Sequence, residues 1–158
     1  MKIGVYAGSF CPVTLGHVDA IEKAAKLVDK LYVVVGINAN KNYAIPSKAR
    51  LNMLQKAISH VKNAEAVAYD GMMTDFCKQV GAQVMIKSIR NALDLQSVID
   101  LNDINQSYWK GETVFVVGSK GLRHISSSLV RELALLGQDF SELVPKNCYD
   151  DIRKYLVR

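Results

Sequence analysis

The segment at residues 8–17, Gly-Ser-Phe-Cys-Pro-Val-Thr-Leu-Gly-His, is the part of this sequence best suited to chemistry on an anion. It directly follows a short apolar run at residues 3–7 and directly precedes an amphipathic stretch at residues 18–28. A strand, a glycine-bearing loop and a helix in this order form phosphate sites, because the first helical N–H groups point at the anion. His17 would then lie at the positive end of a helix and could donate a hydrogen bond to a phosphate oxygen.

This spacing differs from two common nucleotide motifs. It lacks the glycine pattern of a dinucleotide fold, and no Gly-Lys-Ser/Thr follows as in a P-loop. A plain strand-to-helix turn with a histidine at the start of the helix is therefore an alternative interpretation.

A second glycine-bearing loop follows a later apolar run. Residues 118–124 read Gly-Ser-Lys-Gly-Leu-Arg-His, and Ile125 then precedes three serines at residues 126–128. Serines at the start of a helix offer hydroxyls and free backbone N–H groups, which together make a second anion site. A capping box between a serine and Glu132 is the alternative explanation, and it is compatible with anion binding.

Three cations follow predicted strands. Lys41 lies in a polar loop after the strand at residues 31–37, and Lys87 and Arg90 follow the strand at residues 83–86. Ligands bind at the carboxyl ends of the strands in open α/β sheets, and partly buried cations need a carboxylate or a phosphate as partner. A solvated loop lysine remains the alternative for Lys41, and a structural salt bridge remains the alternative for Lys87.

Strand and helix patterns alternate along the chain. We expect strands at residues 3–7, 31–37, 64–68, 83–86 and 113–117. We expect helices at residues 18–30, 48–60, 74–81 and 91–105, a helix opened by the three serines, and a closing helix in the segment from residue 140 onward. These units predict an α/β doubly wound fold with a five-stranded parallel sheet, in a single domain at residues 1–158.

Local signals refine these elements. Ser47 and Thr74 are predicted N-caps of helices, and Gly81 is the predicted end of the short helix. Arg50 is predicted to be structural, anchoring a loop to a helix. Tyr108 and Trp109 are predicted exposed loop aromatics that could form a subunit contact, and packing within the loop is the alternative.

Composition limits the class of protein. The chain has 158 residues, of which 49% are hydrophobic and 22% charged, as expected for a folded domain. The net charge is +5, yet the chain has no block of basic residues and no basic-aromatic interleaving, so we expect small phosphorylated ligands rather than nucleic acid or membrane. Three widely spaced cysteines predict free thiols in a reducing, cytoplasmic setting, and we expect no leader and no membrane span.

The motifs together resemble one family. Residues 8–17 resemble the nucleotidyltransferase signature Gly-(Thr/Ser)-Phe-Asp-Pro-x-(His/Thr)-x-Gly-His, and the form with Thr14 is similar to the phosphopantetheine adenylyltransferase family. Residues 87–94 resemble its Arg-Gly-Leu-Arg-Ala-x-x-Asp motif, and residues 125–131 resemble its Ile-Ser-Ser-(Ser/Thr)-x-Val-(Arg/Lys) motif.

Four departures from the family pattern bear on the chemistry. Cys11 replaces an aspartate, Lys87 an arginine and Ser88 a glycine, and Val98 replaces a glutamate that contacts ATP in the family. Lysine keeps the charge at residue 87 but loses the bidentate fork of arginine. The resemblance implies that the glutamate contact is lost or rerouted.

The resemblance implies a Rossmann-like nucleotidyltransferase fold and a reaction. AMP would pass from ATP to 4'-phosphopantetheine, giving dephospho-coenzyme A and pyrophosphate. Magnesium would be carried with ATP and no residue is expected to bind metal. A homohexamer is implied, with coenzyme A as a candidate feedback ligand.

The resemblance also implies the site residues. The catalytic residues would be His17, Lys41 and Arg90, with His17 stabilising charge at the α-phosphate. ATP would be bound by Ser9, Phe10, His17, Ser88, Ile89, Arg90, Leu122, Arg123, His124, Ile125, Ser126, Ser127 and Ser128. The acceptor would be bound by Ser9, Lys41, Met73 and Lys87.

Two other functions remain open from the sequence. A related nucleotidyltransferase acting on nicotinamide mononucleotide or glycerol 3-phosphate would use the same His17 and the same serines. A catalytically weak nucleotide-binding regulator is the second, motivated by the four departures.

Overall fold

The computed structural model describes residues 1–157, which form five β-strands and six α-helices. The strands are β1 (Ile3–Gly8), β2 (Lys30–Gly36), β3 (Ala64–Tyr69), β4 (Val84–Ile89) and β5 (Glu112–Val117). The helices are α1 (Leu15–Ala25), α2 (Ser47–Ala57), α3 (Met73–Val80), α4 (Ala92–Gln106), α5 (Ser127–Leu135) and α6 (Tyr149–Leu156). No helix formed by residues 1–157 has the length and apolar character that crossing a bilayer requires.

The five strands form one parallel sheet in the order β3-β2-β1-β4-β5. The chain therefore builds outward from β1 in one direction through β3, then returns to place β4 on the other side of β1. This reversal between β1 and β4 is the switch point of a doubly wound sheet, where ligands bind at the carboxyl ends of the strands. The predicted fold is confirmed.

Both faces of the sheet are covered by apolar side chains. Val33, Val34 and Val35 on β2 are all fully buried, as expected for a parallel strand with helices on both faces. The larger cluster includes buried residues of α1, α2, α5 and α6, and the smaller cluster packs α3 against the opposite face. The three cysteines are free and buried.

The boundaries of α1 differ from the predicted residues 18–30. The helix begins at Leu15 because the side chain of Thr14 caps it, and it ends at Ala25. Residues 29 and 30 already donate their N–H groups to the carbonyl of Lys2, at 2.9 and 3.2 Å, which places Lys30 in β2.

The predicted N-caps Ser47 and Thr74 were wrong. Pro46 precedes α2 and Ser47 is its first helical residue, and the helix ends at Ala57 rather than His60. Thr74 lies inside the first turn of α3, where its hydroxyl is buried with no hydrogen-bond partner among residues 1–157. Gly81 does end this helix, in the left-handed conformation with φ of 65°.

Three later expectations also need correction. Strand β4 continues to Ile89 because residues 87–89 keep pairing with β5. The closing helix begins only at Tyr149, after 3-10 turns at Ser141–Leu143 and Lys146–Cys148. Trp109 is not exposed, since it packs into the smaller cluster with 8% of its surface accessible.

Candidate active site

A cavity of about 480 Å³ lies at the carboxyl ends of β1 and β4. Its walls come from the first loop (residues 9–14), the start of α1, the end of β4, the start of α4 and the second loop (residues 118–126) with the start of α5. The predicted site residues that line it are Ser9, Phe10, His17, Lys87, Ser88, Arg90, Leu122, Arg123, Ile125, Ser126, Ser127 and Ser128. The chain thus brings the three motifs, which lie far apart in the sequence, into one place.

Four predicted site residues do not line this cavity. Lys41 is exposed in the loop after β2, and Met73 packs beside the smaller apolar cluster. Ile89 ends β4, and His124 is exposed in the second loop. Their roles in ligand binding stay predictions.

His17 is held by the residue that caps its own helix. The backbone N–H of Thr14 donates to Nδ1 of His17 at 3.0 Å, and Thr14 Oγ1 lies 3.1 Å from the same nitrogen. The backbone N–H of His17 in turn donates to Thr14 Oγ1 at 3.3 Å, which completes a capping box. Because a backbone N–H can only donate, Nδ1 is an acceptor, and the neutral ring carries its proton on Nε2.

The His17 ring is neutral at ordinary pH. Burial of the ring, with a smaller contribution from the positive charge of Arg90, lowers the pKa of His17 from 6.5 to about 4. The ring also packs edge-on against Phe10, with 5.0 Å between ring centroids. The site therefore presents a fixed Nε2–H donor rather than an imidazolium or a proton acceptor.

The lowered pKa of His17 predicts an acid-sensitive fold. The folded protein resists protonation of this ring while the unfolded chain accepts a proton, so the contribution of His17 is fully present above about pH 6.5 and is lost as pH falls toward 4. The loss approaches about 3 kcal/mol in the free energy of unfolding. We expect urea unfolding between pH 7 and pH 4 to show a steeper loss of stability in the wild type than in His17→Gln, which cannot titrate. Parallel curves for the two proteins would contradict this assignment.

The first loop is anchored to the protein interior by a buried arginine. Arg50 is 1% exposed and donates hydrogen bonds to the carbonyls of Ser9 (2.7 Å), Gly36 (3.2 Å) and Ile45 (3.1 Å). Next to Ser9, Phe10 has a positive φ of 47°, which is unfavourable for a residue with a side chain. The predicted structural role of Arg50 as a loop anchor is confirmed.

Side chains at the start of α5 tie the second loop to the first. Ser127 Oγ donates to the carbonyl of Pro12 at 2.7 Å, and Arg131 donates to the carbonyl of Cys11 at 2.6 Å. Ser126 caps α5 by accepting the N–H of Leu129 at 3.1 Å, so the predicted capping box with Glu132 is wrong.

These contacts decide which groups in the triple serine remain for a ligand. The hydroxyl of Ser126 is engaged in capping α5, and the hydroxyl of Ser127 is engaged in holding the first loop. The backbone N–H groups of Ser127 and Ser128 open the helix, where no preceding turn can supply an acceptor. An anion at this helix end would therefore be bound chiefly by backbone N–H groups.

The charged side chains that line the cavity favour an anionic ligand. Lys87, Arg90, Arg123 and Arg131 supply four cations. Asp94 pairs with Arg90, accepting its Nε–H at 3.2 Å and its backbone N–H at 3.0 Å. The structural salt bridge considered for Lys87 is therefore found at Arg90 instead.

Lys87 is partly buried at the cavity wall. None of the ion pairs among residues 1–157 includes it. Burial lowers the pKa of Lys87, and the nearby Cys77 opposes this shift. A partly desolvated cation without a carboxylate partner is suited to an anionic group that arrives with a ligand.

Ser88, which replaces a glycine of the family motif, makes a contact of its own. Its hydroxyl lies 2.9 Å from the hydroxyl of Tyr6 on the neighbouring strand β1, and both residues line the cavity. The extra side chain is thus held by a hydrogen bond within the cavity wall.

Sequence reasoning missed several residues of the cavity wall, among them Tyr6, Asp19, Asp94, Ser97, Gly118 and Arg131 as a loop contact. Asp94 and Gly118 belong to segments quoted in the sequence analysis, and Asp19 carried a signal of its own, since it lies two residues after His17 and four before Lys23, which suits an ion pair on one helix face. Val98 does line the cavity, where its side chain offers no hydrogen bond.

Comparisons with known proteins agree with this geometry. The family model described as cytidylyltransferase-like matches residues 5–133. A phosphopantetheine adenylyltransferase of Streptococcus pneumoniae (strain ATCC BAA-255 / R6) is 40% identical over 96% of this chain and 95% of its own length. A relative with the same name from Clostridium perfringens (strain 13 / Type A) is 34% identical over 99% of this chain and 96% of its own length. Another, from Finegoldia magna, is 36% identical over 95% of this chain and 93% of its own length. The chain therefore belongs to the phosphopantetheine adenylyltransferase family, within the cytidylyltransferase-like group.

Proposed function

We propose that this protein transfers AMP from ATP to 4'-phosphopantetheine, giving dephospho-coenzyme A and pyrophosphate in coenzyme A biosynthesis. The observation that carries the proposal is the placement of a neutral His17, with its proton on Nε2, between two glycine-bearing loops at the switch point of the sheet. The relatives reported above are all named for this activity. They do not favour a nicotinamide mononucleotide or glycerol 3-phosphate acceptor, or a regulator without activity.

This reaction requires the two substrates to be positioned correctly, and it does not require a nucleophile from the protein. The attacking group is the phosphate of the acceptor, which is already an anion, and it displaces pyrophosphate from the α-phosphate of ATP. Charge that develops on the α-phosphate in the transition state is stabilised by fixed donors. His17 Nε2–H supplies one such donor, and the backbone N–H groups of Ser127 and Ser128 hold the nucleotide phosphates.

Magnesium is proposed to accompany ATP. Among residues 1–157, no group of three or more histidine, cysteine or acidic side chains is arranged to hold a metal ion. The two carboxylates of the cavity, Asp19 and Asp94, are already paired with Lys23 and Arg90. Mg²⁺ prefers phosphate oxygens and water when carboxylates are few, so the nucleotide itself would hold the ion and neutralise phosphate charge.

The acceptor phosphate is proposed to contact Lys87, with Arg90 orienting the two phosphates. Lys41 and Met73 would contact the acceptor from outside the cavity described above. Lys41 lies at the carboxyl end of β2, two strands from β4, on an exposed loop. Because Lys41 does not line the cavity, we propose it as a second contact for the acceptor rather than the first.

Replacing Lys87 with methionine should separate binding from stability. The wild type keeps a partly buried cation with no carboxylate partner, so its removal should leave the free energy of unfolding unchanged or raise it by about 1 kcal/mol. The KM for 4'-phosphopantetheine should rise by about tenfold or more, since a charge-assisted hydrogen bond to the phosphate is lost. Steady-state kinetics and urea unfolding measure the two effects, with the exposed Lys62→Met as control. A destabilised variant with an unchanged KM would assign Lys87 to the fold instead.

A homohexamer in the cytoplasm is proposed on the resemblance, and one surface supports self-association. Helix α4 has no buried residue, and β5 is an edge strand. The exposed apolar side chains of these two elements include Leu93, Ile99, Leu101, Ile104, Phe115 and Val117. Apolar surface of this kind is typical of subunit contacts. Sedimentation velocity tests it, and a monomer at micromolar concentration would exclude the hexamer.

The experiment that tests the proposed function is pyrophosphate release from ATP with each of three acceptors. We expect turnover with 4'-phosphopantetheine and none with nicotinamide mononucleotide or glycerol 3-phosphate. Turnover with another acceptor would change the substrate while keeping the chemistry. Binding of ATP without turnover on any acceptor would leave the regulator as the better description.

A further inference from the structure

The start of the second loop is held by a carboxylate that has no part in the proposed chemical step. Asp19 lies on α1, two residues after His17, and it lines the cavity. Its Oδ2 accepts the backbone N–H of Ser119 at 2.9 Å, and its Oδ1 accepts the Ser119 hydroxyl at 2.6 Å. Because one residue donates to both oxygens of one carboxylate, the contact fixes the orientation of the loop as well as its position.

A lysine one turn further along α1 extends this contact to β5. Lys23 Nζ lies 3.3 Å from Asp19 Oδ2 and donates to the carbonyl of Val117 at 2.6 Å. Val117 ends β5 and Ser119 belongs to the loop that follows it. The four residues Asp19, Lys23, Val117 and Ser119 are called the Asp19 clamp below.

The charge of Asp19 suits it to this role and excludes direct contact with a nucleotide phosphate. Burial raises the pKa of the carboxyl, but the hydrogen bonds from Ser119 and the pair with Lys23 outweigh burial and hold the pKa below its usual value. An ionised carboxylate only accepts hydrogen bonds, and it repels phosphate. The two bonds to Ser119 therefore assign Asp19 to the loop rather than to the phosphates of the ligand.

With the Asp19 clamp, the second loop is held by hydrogen bonds at both of its ends. The far end of the loop is tied to the first loop through Ser127 and Arg131. The near end is tied by Asp19 to the helix that carries His17. Without the contact between Asp19 and Ser119, the far end would still be tied to the first loop and Lys23 would still hold Val117, but Ser119 would lose its contact with the helix that presents the Nε2–H donor.

We propose that Asp19 is a positioning residue that sets the distance between the second loop, where ATP is proposed to bind, and His17. This inference rests on the proposed function for its ligand. A displacement of about 1 Å at a reacting centre can cost about 10²-fold in rate, so a tie at the loop's origin has a large effect on the chemistry.

Three variants test the clamp: Asp19→Asn, Ser119→Ala and their combination. Asparagine keeps the shape of Asp19 but removes its charge, so the two hydrogen bonds with Ser119 lose their charge assistance and the ion pair with Lys23 is lost. Each single variant should raise the KM for ATP by about tenfold or more while leaving the KM for 4'-phosphopantetheine within about twofold of the wild type. The double variant should be little worse than Asp19→Asn alone, because Ser119→Ala removes only the hydroxyl bond and keeps the backbone N–H donor, so both changes weaken one shared contact. A direct titration with ATP alone should show the same loss of affinity.

The matched control is Glu22→Gln, which removes a carboxylate from the same helix at an exposed position paired with His60. It should leave both KM values unchanged. A merely structural role for Asp19 would lower the melting temperature without changing the ATP KM of the folded enzyme, and that result would overturn the proposal. Additive losses in the double variant, or equal rises in both KM values, would overturn it too.

The ATP titration also separates failure of the clamp from failure of the proposed function. If the wild type binds ATP but does not turn over 4'-phosphopantetheine, the acceptor assignment fails, and the affinity of Asp19→Asn for ATP still decides the clamp. If Asp19→Asn does not fold, the ATP affinity of Ser119→Ala still tests the clamp, because this variant removes the hydroxyl that donates to Asp19.

Discussion

Replacement of His17 by alanine is expected to lower kcat for pyrophosphate release by about 10²- to 10³-fold, because one fixed donor to the transition state is lost. Nδ1 is engaged by Thr14, so the ring's only donor is Nε2–H, held by the capping box and by the edge contact with Phe10. A donor that is fixed before the reaction needs no reorganisation when charge develops. The KM for ATP should change far less than kcat, since the ground-state phosphates keep the loop N–H groups.

The variant His17→Gln distinguishes hydrogen-bond donation from proton transfer. A glutamine amide can donate where Nε2–H did, but it cannot titrate, so we expect it to retain more activity than His17→Ala. His60→Ala, at an exposed position paired with Glu22, serves as the control and should match the wild type. Equal losses in the glutamine and alanine variants, together with a pH profile that changes near neutrality, would indicate acid–base catalysis by His17 instead.

The architecture could be predicted because its signals are local and repeated. Alternation of apolar strands with amphipathic helices predicts a parallel sheet, and the unbroken apolar run around Val33 to Val35 predicts a strand covered on both faces. Once the sheet is parallel, loops that follow strands must meet at one edge. That rule alone brings residues 9–14 and 118–126 together with the carboxyl end of β4 and Arg90, as the cavity shows.

The details of the site escaped prediction where a contact joins residues far apart in the chain. Asp19 and Ser119 are separated by 100 positions, and neither has a motif of its own. Arg131 and Cys11 are separated by 120 positions and meet through a backbone carbonyl, which no sequence pattern records. In the sequence, Thr14 only distinguished the threonine form of the family signature from the histidine form. In the structure, its side chain caps α1 and its backbone N–H holds the His17 ring.

Trp109 shows a second kind of failure. A tryptophan in a loop suggests an exposed contact, but this ring packs over Gly111 and joins the smaller apolar cluster. A Cβ at Gly111 would lie 1.9 Å from the ring, so only glycine leaves room for it. The tertiary environment, rather than the loop composition, decides the burial of this side chain.

Replacement of Arg50 by methionine is expected to lower the free energy of unfolding by about 3 kcal/mol, because three carbonyls, in one buried and two partly buried hydrogen bonds, lose a charged donor at once. The guanidinium also stacks on Tyr43, with 4.0 Å between its central carbon and the ring centroid. Methionine fills much of the space but donates no hydrogen bond. The free energy of unfolding of Arg50→Lys should lie between those of the wild type and Arg50→Met, since an ammonium group cannot match the hydrogen-bonding geometry of the guanidinium group. Urea unfolding at pH 7 measures the difference.

The Arg50→Met substitution should lower catalytic activity as well as stability. Arg50 fixes the carbonyl of Ser9, Ser9 precedes Phe10 in its unfavourable positive φ conformation, and Phe10 packs against the His17 ring. Release of Ser9 lets Phe10 relax and frees the ring, so kcat should fall by about tenfold even under conditions where Arg50→Met is fully folded. The control is Lys48→Met on the same helix, an exposed charge whose removal should change stability by less than about 0.5 kcal/mol. If Arg50→Met were destabilised but kept full activity when folded, the strained conformation of Phe10 would not depend on this anchor.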